Sequence, residues 1–408
     1  MQHVLLTKPA GSGAETLAEY RQWGGYAAFT AALFESTPDR IIQMIEAAGL
    51  CGRGGAAFPT ARKWRLAREA DATDRYVVAN GGEHEPGSRK DRLLISQFPH
   101  KVIDGLLLAG FATGASKGFL YIIEDMLDAK ASAEAAIVEA RAAGLLGNCI
   151  LNSSFSFDIE ITLAPTTYVA GEETAALEVI EGKKAWPRKK PPYPGQAGLF
   201  GKPTTINNVE TLAAAAVIVK IGADAYKQLG VRGGAGTFLA TLDERCVKPG
   251  VYEIPTGTTF RELIFTIGGG TKSGKSIKAI LPALSSRWLP ASALDTPMTT
   301  AEVKAAGSGL GCAGISWIED GESILPRLVE ISQFFMKEQC GQCAPCRMET
   351  NTLAAVMKQA ASGQKGEYKL QVDKITAFAR GKGNCSLIEM AAAPVVSAFE
   401  LFPDEFNK

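Results

Sequence analysis

Four of the eight cysteines in this 408-residue chain fall into one pattern. Residues 339–347 read Gln-Cys-Gly-Gln-Cys-Ala-Pro-Cys-Arg, so Cys340, Cys343 and Cys346 form C-x-x-C-x-x-C. Thiolates three residues apart reach three corners of one iron–sulfur cubane while the backbone wraps around it. Gly341 permits the tight turns that this wrapping needs. Zinc usually takes two separated C-x-x-C pairs instead. A fourth ligand has to come from elsewhere. Met348 to Gln359 and Leu370 to Phe378 read as helices, and Gly381 and Gly383 mark a break. Two antiparallel helices would return Cys385 to the first three ligands, and a further helical pattern runs from Leu387 towards Phe399. Cys312, in Gly-rich chain with no such return path, is the weaker candidate. The expectation is one [4Fe–4S] cluster on Cys340, Cys343, Cys346 and Cys385, and a role in electron transfer. Cys51, Cys149 and Cys246 are scattered and read as thiols.

A second group of residues suits an anion and a flat ring. Thr37-Pro38-Asp39 opens a helix with a cap, a first-turn proline and an acid at the positive end. It ends at Gly49. The loop that follows, from Gly52-Arg53-Gly54-Gly55 to Phe58 and on to Arg62, Lys63 and Trp64, combines glycines, positive charge and aromatic faces. Glycines let backbone N–H groups approach a phosphate. Arg75 to Ala79 reads as a strand running into Asn80-Gly81-Gly82-Glu83-His84-Glu85, and polar groups just past strand ends are where α/β sheets hold ligands. Tyr168 to Thr174 reads as another strand end followed by a helix. Its paired acids Glu172 and Glu173 fit hydrogen bonding to a ligand or, equally, a helix start. Lys189-Lys190-Pro191-Pro192-Tyr193-Pro194 is rigid, cationic and aromatic, a linker or a lid. Gly201 to Thr211 leads into an Ala-rich helix, where Asn207 and Asn208 can be caps.

Other classes find little support. Gly269 to Ser276 matches the P-loop pattern, but Phe260 to Ile267 before it reads as a helix and Ile277 to Leu281 after it as a strand, the reverse of a P-loop's context. Gly309 to Gly314 matches G-x-G-x-x-G but leads into the strand-like run Ile315 to Ile318. His3, His84 and His100 do not cluster. A formal net charge of +0 gives no electrostatic case for nucleic acid or an anionic membrane. No apolar run reaches the roughly 18 residues of a membrane span, so no direct membrane insertion and a cytoplasmic location are expected.

These motifs, in this order from about Ile41 to Val395, resemble the flavin- and NADH-binding subunit of respiratory complex I and its relatives in NAD-linked hydrogenases and formate dehydrogenases. The resemblance implies FMN, a [4Fe–4S] cluster and NAD(H), with FMN held by Gly52, Arg53, Gly54, Lys63, Asn80, Glu83, Tyr168, Gly171, Glu172, Ile206, Asn207 and Asn208. It puts Phe58, Glu85, Glu173, Lys190 and Tyr193 on the NAD(H) side. It implies an α/β fold in three parts: a Rossmann-like FMN-binding domain over 1–240, a β-grasp domain over 241–325 and a helical cluster domain over 326–408. Val247 to Pro255 fits the first strands of the second part, with Tyr252 and Ile254 on one face. The implied activity is hydride exchange between NAD(H) and FMN and single-electron exchange between FMN and the cluster. The implied partners are a thioredoxin-like [2Fe–2S] subunit and further iron–sulfur or catalytic subunits.

The chain departs from the family pattern at three places. The family usually has Asn-Ala-Asp-Glu-Gly-Glu-Pro-Gly where this chain has Asn80-Gly81-Gly82-Glu83-His84-Glu85-Pro86-Gly87. Gly82 removes a carboxylate, and His84 adds a ring where glycine leaves space. Leu66 stands where an aromatic often stacks on the dinucleotide, a loss of about 1 kcal/mol. These changes motivate a second reading: a flavin and iron–sulfur relay that no longer binds NAD(H).

Overall fold

The structure, a computed structural model, describes residues 3–406; the first two residues of the expected first part and the last two of the third lie outside it. The apolar run after Arg75 forms strand β1 (Tyr76–Gly81). It pairs on one edge with β2 (Lys117–Ile123) and on the other with β4 (Thr204–Asn208), and β3 (Asp158–Ala164) lies beyond β2. All three pairings are parallel. Parallel strands need crossovers, and helices supply them: Lys90–Gln97 and Pro99–Thr113 between β1 and β2, Leu127–Ala142 between β2 and β3, Glu173–Ile180 between β3 and β4. Val77 and Val78 point to opposite faces and both are wholly buried, so the sheet is covered on both sides. The order β3-β2-β1-β4 reverses at β1, and an α/β sheet opens its ligand crevice at such a switch point, past the carboxyl ends of the strands. Asn80 near the end of β1 pairs in register with Asn208 at the end of β4.

The Pro99–Thr113 helix crosses the Val209–Ile221 helix at Gly105, where a Cβ would stand 2.2 Å from the Leu212 carbonyl oxygen. Only glycine admits that approach.

The second sheet has the order β6-β5-β9-β7-β8, built from β5 (Thr237–Leu242), β6 (Gly250–Pro255), β7 (Ile277–Leu281), β8 (Leu289–Pro290) and β9 (Gly314–Glu319). The β5–β6 hairpin is antiparallel and β9 lies parallel to β5. This is the expected β-grasp arrangement. The helix expected over Phe260 to Ile267 has a π-helical stretch at Glu262–Ile267. Both glycine decoys lead into strands, β7 and β9, as their context implies.

Four α-helices follow, Leu325–Glu338, Ala344–Ala361, Tyr368–Ala379 and Leu387–Leu401, and then a 3₁₀ turn at Pro403–Phe406. Leu328, Phe335, Leu353, Met357 and Val395 form their core, which is continuous with Leu281 and Ile318 of the second sheet. One expected strand end is absent. Tyr168–Gly171 is a 3₁₀ turn, because β3 ends at Ala164 and Pro165 follows with no N–H to extend the ladder. No helix among the described residues is long and apolar enough to cross a membrane.

Candidate functional site

The cysteine end is built by helix geometry. Gly341 adopts φ +82° after the Leu325–Glu338 helix, and its N–H donates to Gln339 Oε1 at 2.8 Å. Cys343 is the N-cap of the Ala344–Ala361 helix, with proline in the first turn, and Cys346 lies one turn inside. The Tyr368–Ala379 helix runs back, Gly381 turns the chain at φ +69°, and Cys385 arrives just before the last helix. All four cysteines line one hollow with Val169, Gly383 and Leu387. The Asn384 N–H donates to Cys343 Sγ at 3.3 Å, the kind of bond that tunes a cluster's potential. Burial, reinforced by Cys385 and the other two thiols, pushes Cys346 up to about 12, and burial pushes Cys385 up to about 11. Two buried thiols that resist charging, crowded beside two further sulfurs, call for a cationic core. Among the described residues no His, Cys, Asp or Glu group has the spacing to hold a single metal ion. A tetrahedral zinc would need sulfurs about 3.8 Å apart, from Zn–S bonds of about 2.3 Å. A cubane spreads its ligands wider, so the residues fit the cluster.

The flavin-side residues converge on the crevice between β1 and β4, but many of their side chains are occupied. Glu83 accepts the N–H groups of Lys90, Asp91 and Arg92, so it caps the Lys90–Gln97 helix. Burial and the neighbouring Asp91 push its carboxyl up to about 7. Asn207 accepts from Trp64 Nε1 at 2.8 Å. Asn208 caps the Val209–Ile221 helix and donates to Asp91 at 2.6 Å. Arg53 turns away from the glycine loop: its Nη2 donates to the Thr237 carbonyl at 3.3 Å, over the Phe238 ring. What faces outward is main chain. Gly54, Gly55 and Ala56 are exposed, and a Cβ on Gly54 would stand 3.3 Å from Asn208 Cβ. At Gly171 a Cβ would stand 2.9 Å from the Gly82 carbonyl oxygen, while Asn80 Nδ2 donates to the Gly171 carbonyl at 3.0 Å. His84 Nε2, nearby, is buried without a partner among the described residues. A glycine cradle and an unsatisfied buried nitrogen fit a polar, phosphate-bearing flavin.

On the side expected to take NAD(H), Lys190 Nζ bridges Glu172 at 2.9 Å and Glu173 at 2.7 Å, and Lys63 Nζ meets Glu173 at 3.0 Å and the Ile206 carbonyl at 3.2 Å. Burial opposes ionisation of Glu173, but Lys63 and Lys190 outweigh it and hold the carboxyl down at about 2. Glu172 also caps the Glu173–Ile180 helix, accepting from the N–H groups of Thr174 and Ala175. Phe58 is exposed beneath the cations of Arg62 and Lys63, and Tyr193 and Leu66 are exposed. Glu85 is bonded elsewhere, to Ser285 Oγ at 3.1 Å and to the Tyr168 hydroxyl at 3.5 Å, joining the crevice to the second sheet.

Three structural supports brace the site, the first two without a signal in the sequence. Lys90, buried, binds Asp91 at 2.6 Å and Glu210 at 3.0 Å. Burial works against its charge, but those two carboxylates prevail and raise its pKa. Thr211 Oγ1 accepts the Arg53 N–H at 2.9 Å and anchors the glycine loop. A lysine inside an amphipathic segment gives no sign that it will be buried, so only the fold could show this network. The third support is the Tyr168–Gly171 turn. Its Val169 lines the cysteine hollow, its Gly171 bonds Asn80, and the Tyr168 N–H donates to Glu338 at 2.9 Å.

Comparison with known proteins agrees with this geometry. Residues 45–217 match the Nuo51 FMN-binding domain, and residues 327–408 match the NADH-ubiquinone oxidoreductase-F iron-sulfur binding region. The NADH-quinone oxidoreductase F 2 subunit of Rhizobium meliloti (strain 1021) is 38% identical over 99% of this chain and 96% of its own length. The NADH-quinone oxidoreductase F subunit of Escherichia coli (strain K12) is 36% identical over 96% of this chain and 89% of its own. Among solved structures, an NAD+-reducing [NiFe]-hydrogenase in the air-oxidized state superposes with TM-score 0.81 at 30% identity over 98% of this chain, which spans 65% of that hydrogenase chain. The glycine loop, the strand-end crevice and the four-cysteine hollow thus occur here in one family's order, and the chain belongs to the family of NADH-quinone oxidoreductase F subunits, which bind FMN and a [4Fe–4S] cluster.

Proposed function

We propose that this chain exchanges electrons between NAD(H) and partner subunits through FMN and its cluster, and that the residues assigned above hold those groups. The observation that carries this reading is the shared Tyr168–Gly171 turn, whose two ends border the crevice and the cysteine hollow. Bound FMN supplies the exchange of a nicotinamide's electron pair for single electrons. The protein's part is positioning and exclusion of water. The Gly52–Gly55 backbone receives the phosphate, Asn80 and Gly171 frame the ring, and the ion-paired Lys63, Glu172, Glu173 and Lys190 set the polar border on the nicotinamide side. Cys340, Cys343, Cys346 and Cys385 ligate the cluster. The order of first sheet, second sheet and helical bundle supports three parts, near 1–240, 241–325 and 326–408, with the first boundary moved ahead of β5, which starts at Thr237, and the second ahead of the helix that starts at Leu325. A thioredoxin-like [2Fe–2S] subunit and further iron–sulfur or catalytic subunits on the cytoplasmic side are the partners this reading requires, because the chain holds no second cysteine cluster for onward transfer.

The test is the visible spectrum of the anaerobically purified complex before and after one equivalent of NADH. Bleaching near 450 nm, about where oxidised flavin absorbs, supports the reading. A flavin that NADH leaves unchanged, but dithionite bleaches, supports the relay without NAD(H). The exposed Leu66 favours that second reading, offering the dinucleotide no aromatic face at its position.

A further inference from the structure

The ring of His84 lies between two glycines. A Cβ on Gly82 would come within 3.3 Å of His84 Nε2, and one on Gly171 within 3.1 Å of His84 Cδ2. The imidazole therefore stands in volume that a side chain at position 82 would claim. The same Gly82 site is 3.0 Å from Asn80 Oδ1, and Asn80 Nδ2 bonds the Gly171 carbonyl. His84 thus lies beside Gly171, one of the residues proposed to frame the flavin. Its Nε2 is shielded from solvent and has no hydrogen-bond partner among the described residues. A buried polar atom left this way is costly, and native structures keep few of them. Burial pushes the imidazole down to about 4, against the pull of Asp125 and the Thr166 main chain, so the ring is neutral at physiological pH. A neutral imidazole offers a ring nitrogen as donor or acceptor according to its tautomer. A flavin edge carries both kinds of partner.

We propose that His84 Nε2 hydrogen-bonds the polar edge of bound FMN, standing in for the side chain that Gly82 lacks. This rests on the chain binding FMN. The ring then serves two ends: it fills the space beside Gly82 and Gly171, and it supplies one neutral hydrogen bond to the cofactor. A bulky residue after β1 is therefore compatible with flavin binding here, because it points into vacated volume rather than across the crevice.

The test uses the complex with its native partners, freed of flavin and titrated with FMN while flavin fluorescence is followed. His84→Phe keeps the bulk and removes the nitrogen, whereas His84→Gln keeps a hydrogen-bonding group. A net hydrogen bond of about 0.5–1.5 kcal/mol converts to a roughly 2- to 13-fold weakening of FMN binding in His84→Phe. His84→Gln stays within about twofold of the parent, and the flavin midpoint potential moves in the Phe variant alone. Native FMN affinity and potential in a folded His84→Phe complex would overturn the proposal, since a space-filling role alone would leave both unmoved. A parent complex that takes up no FMN would overturn the flavoprotein reading itself, a visibly different failure. Should His84→Phe not fold, the parent labelled with ring-¹⁵N histidine decides the matter. Imidazole bands that shift in the infrared difference spectrum on flavin reduction, and vanish in His84→Gln, support the bond; bands that stay fixed refute it.

Discussion

The cluster end and the flavin crevice solve the same problem by opposite means. At the cluster end the side chains themselves are the site: four thiols within 46 residues of chain face one hollow, and helices set their directions. At the crevice, side chains that looked like ligands are largely engaged with each other. Glu83 and Asn208 cap helices, Asn207 holds Trp64, and Arg53 holds the second sheet. The open surface there is glycine backbone. On the proposed assignment, one site is a set of ligands and the other a set of braces around exposed main chain.

That contrast can be broken in four places. Cys385→Ser should abolish the cluster's EPR signal and its iron while flavin stays bound; Cys312→Ser should do neither. The same loss from Cys312→Ser would mean that the ligand set is wrong. Lys90→Met should be the most damaging change in the crevice without touching a ligand. It strands buried Asp91 and Glu210, and breaking such a group costs about 3–5 kcal/mol. A fall in melting temperature of about 10 °C would register it, and an unchanged melt would refute the brace assignment.

Gly171→Ala adds a methyl 2.9 Å from the Gly82 carbonyl oxygen. Overpacking of about 1–3 kcal/mol should weaken FMN binding by roughly tenfold. Equal FMN affinity in the two proteins would show that the turn yields freely. The smallest effect concerns acid. Glu173 titrates at about 2 in the fold and at 4.5 when free, so its contribution to stability is complete above 4.5 and is lost as pH falls towards 2. Glu173→Gln should remove about 2 kcal/mol at neutral pH, discounted for a side chain 28% exposed. It should also flatten the acid limb of stability against pH below about 4.5. Parallel limbs for the two proteins would mean that the Lys63 and Lys190 pairs contribute nothing.

What the sequence disclosed follows the same divide. Fixed spacing and helix periodicity point to a cubane's ligands, so the convergence of Cys340, Cys343 and Cys346 with the returning Cys385 was legible, as were the helices around them. The glycine loop and the strand before Asn80 were legible too, since glycines and apolar runs report backbone need directly. The short strand β4 was not, because Thr-Thr-Ile-Asn-Asn carries one strongly apolar residue and two that cap helices elsewhere. Nor could spacing tell whether Glu83 or Asn208 would face a ligand or a helix end. Both roles ask for the same atoms, and only packing decides between them.

The Tyr168–Gly171 turn also acts as a ruler. Four residues of 3₁₀ chain rise about 2 Å each, and the segment is pinned at one end by Asn80 and at the other by Glu338. One inserted residue would either part the crevice from the cysteine hollow by that increment or tear a pin loose. Electron exchange decays steeply with separation, so the length of this turn bears directly on how closely the crevice and the cysteine hollow can be coupled.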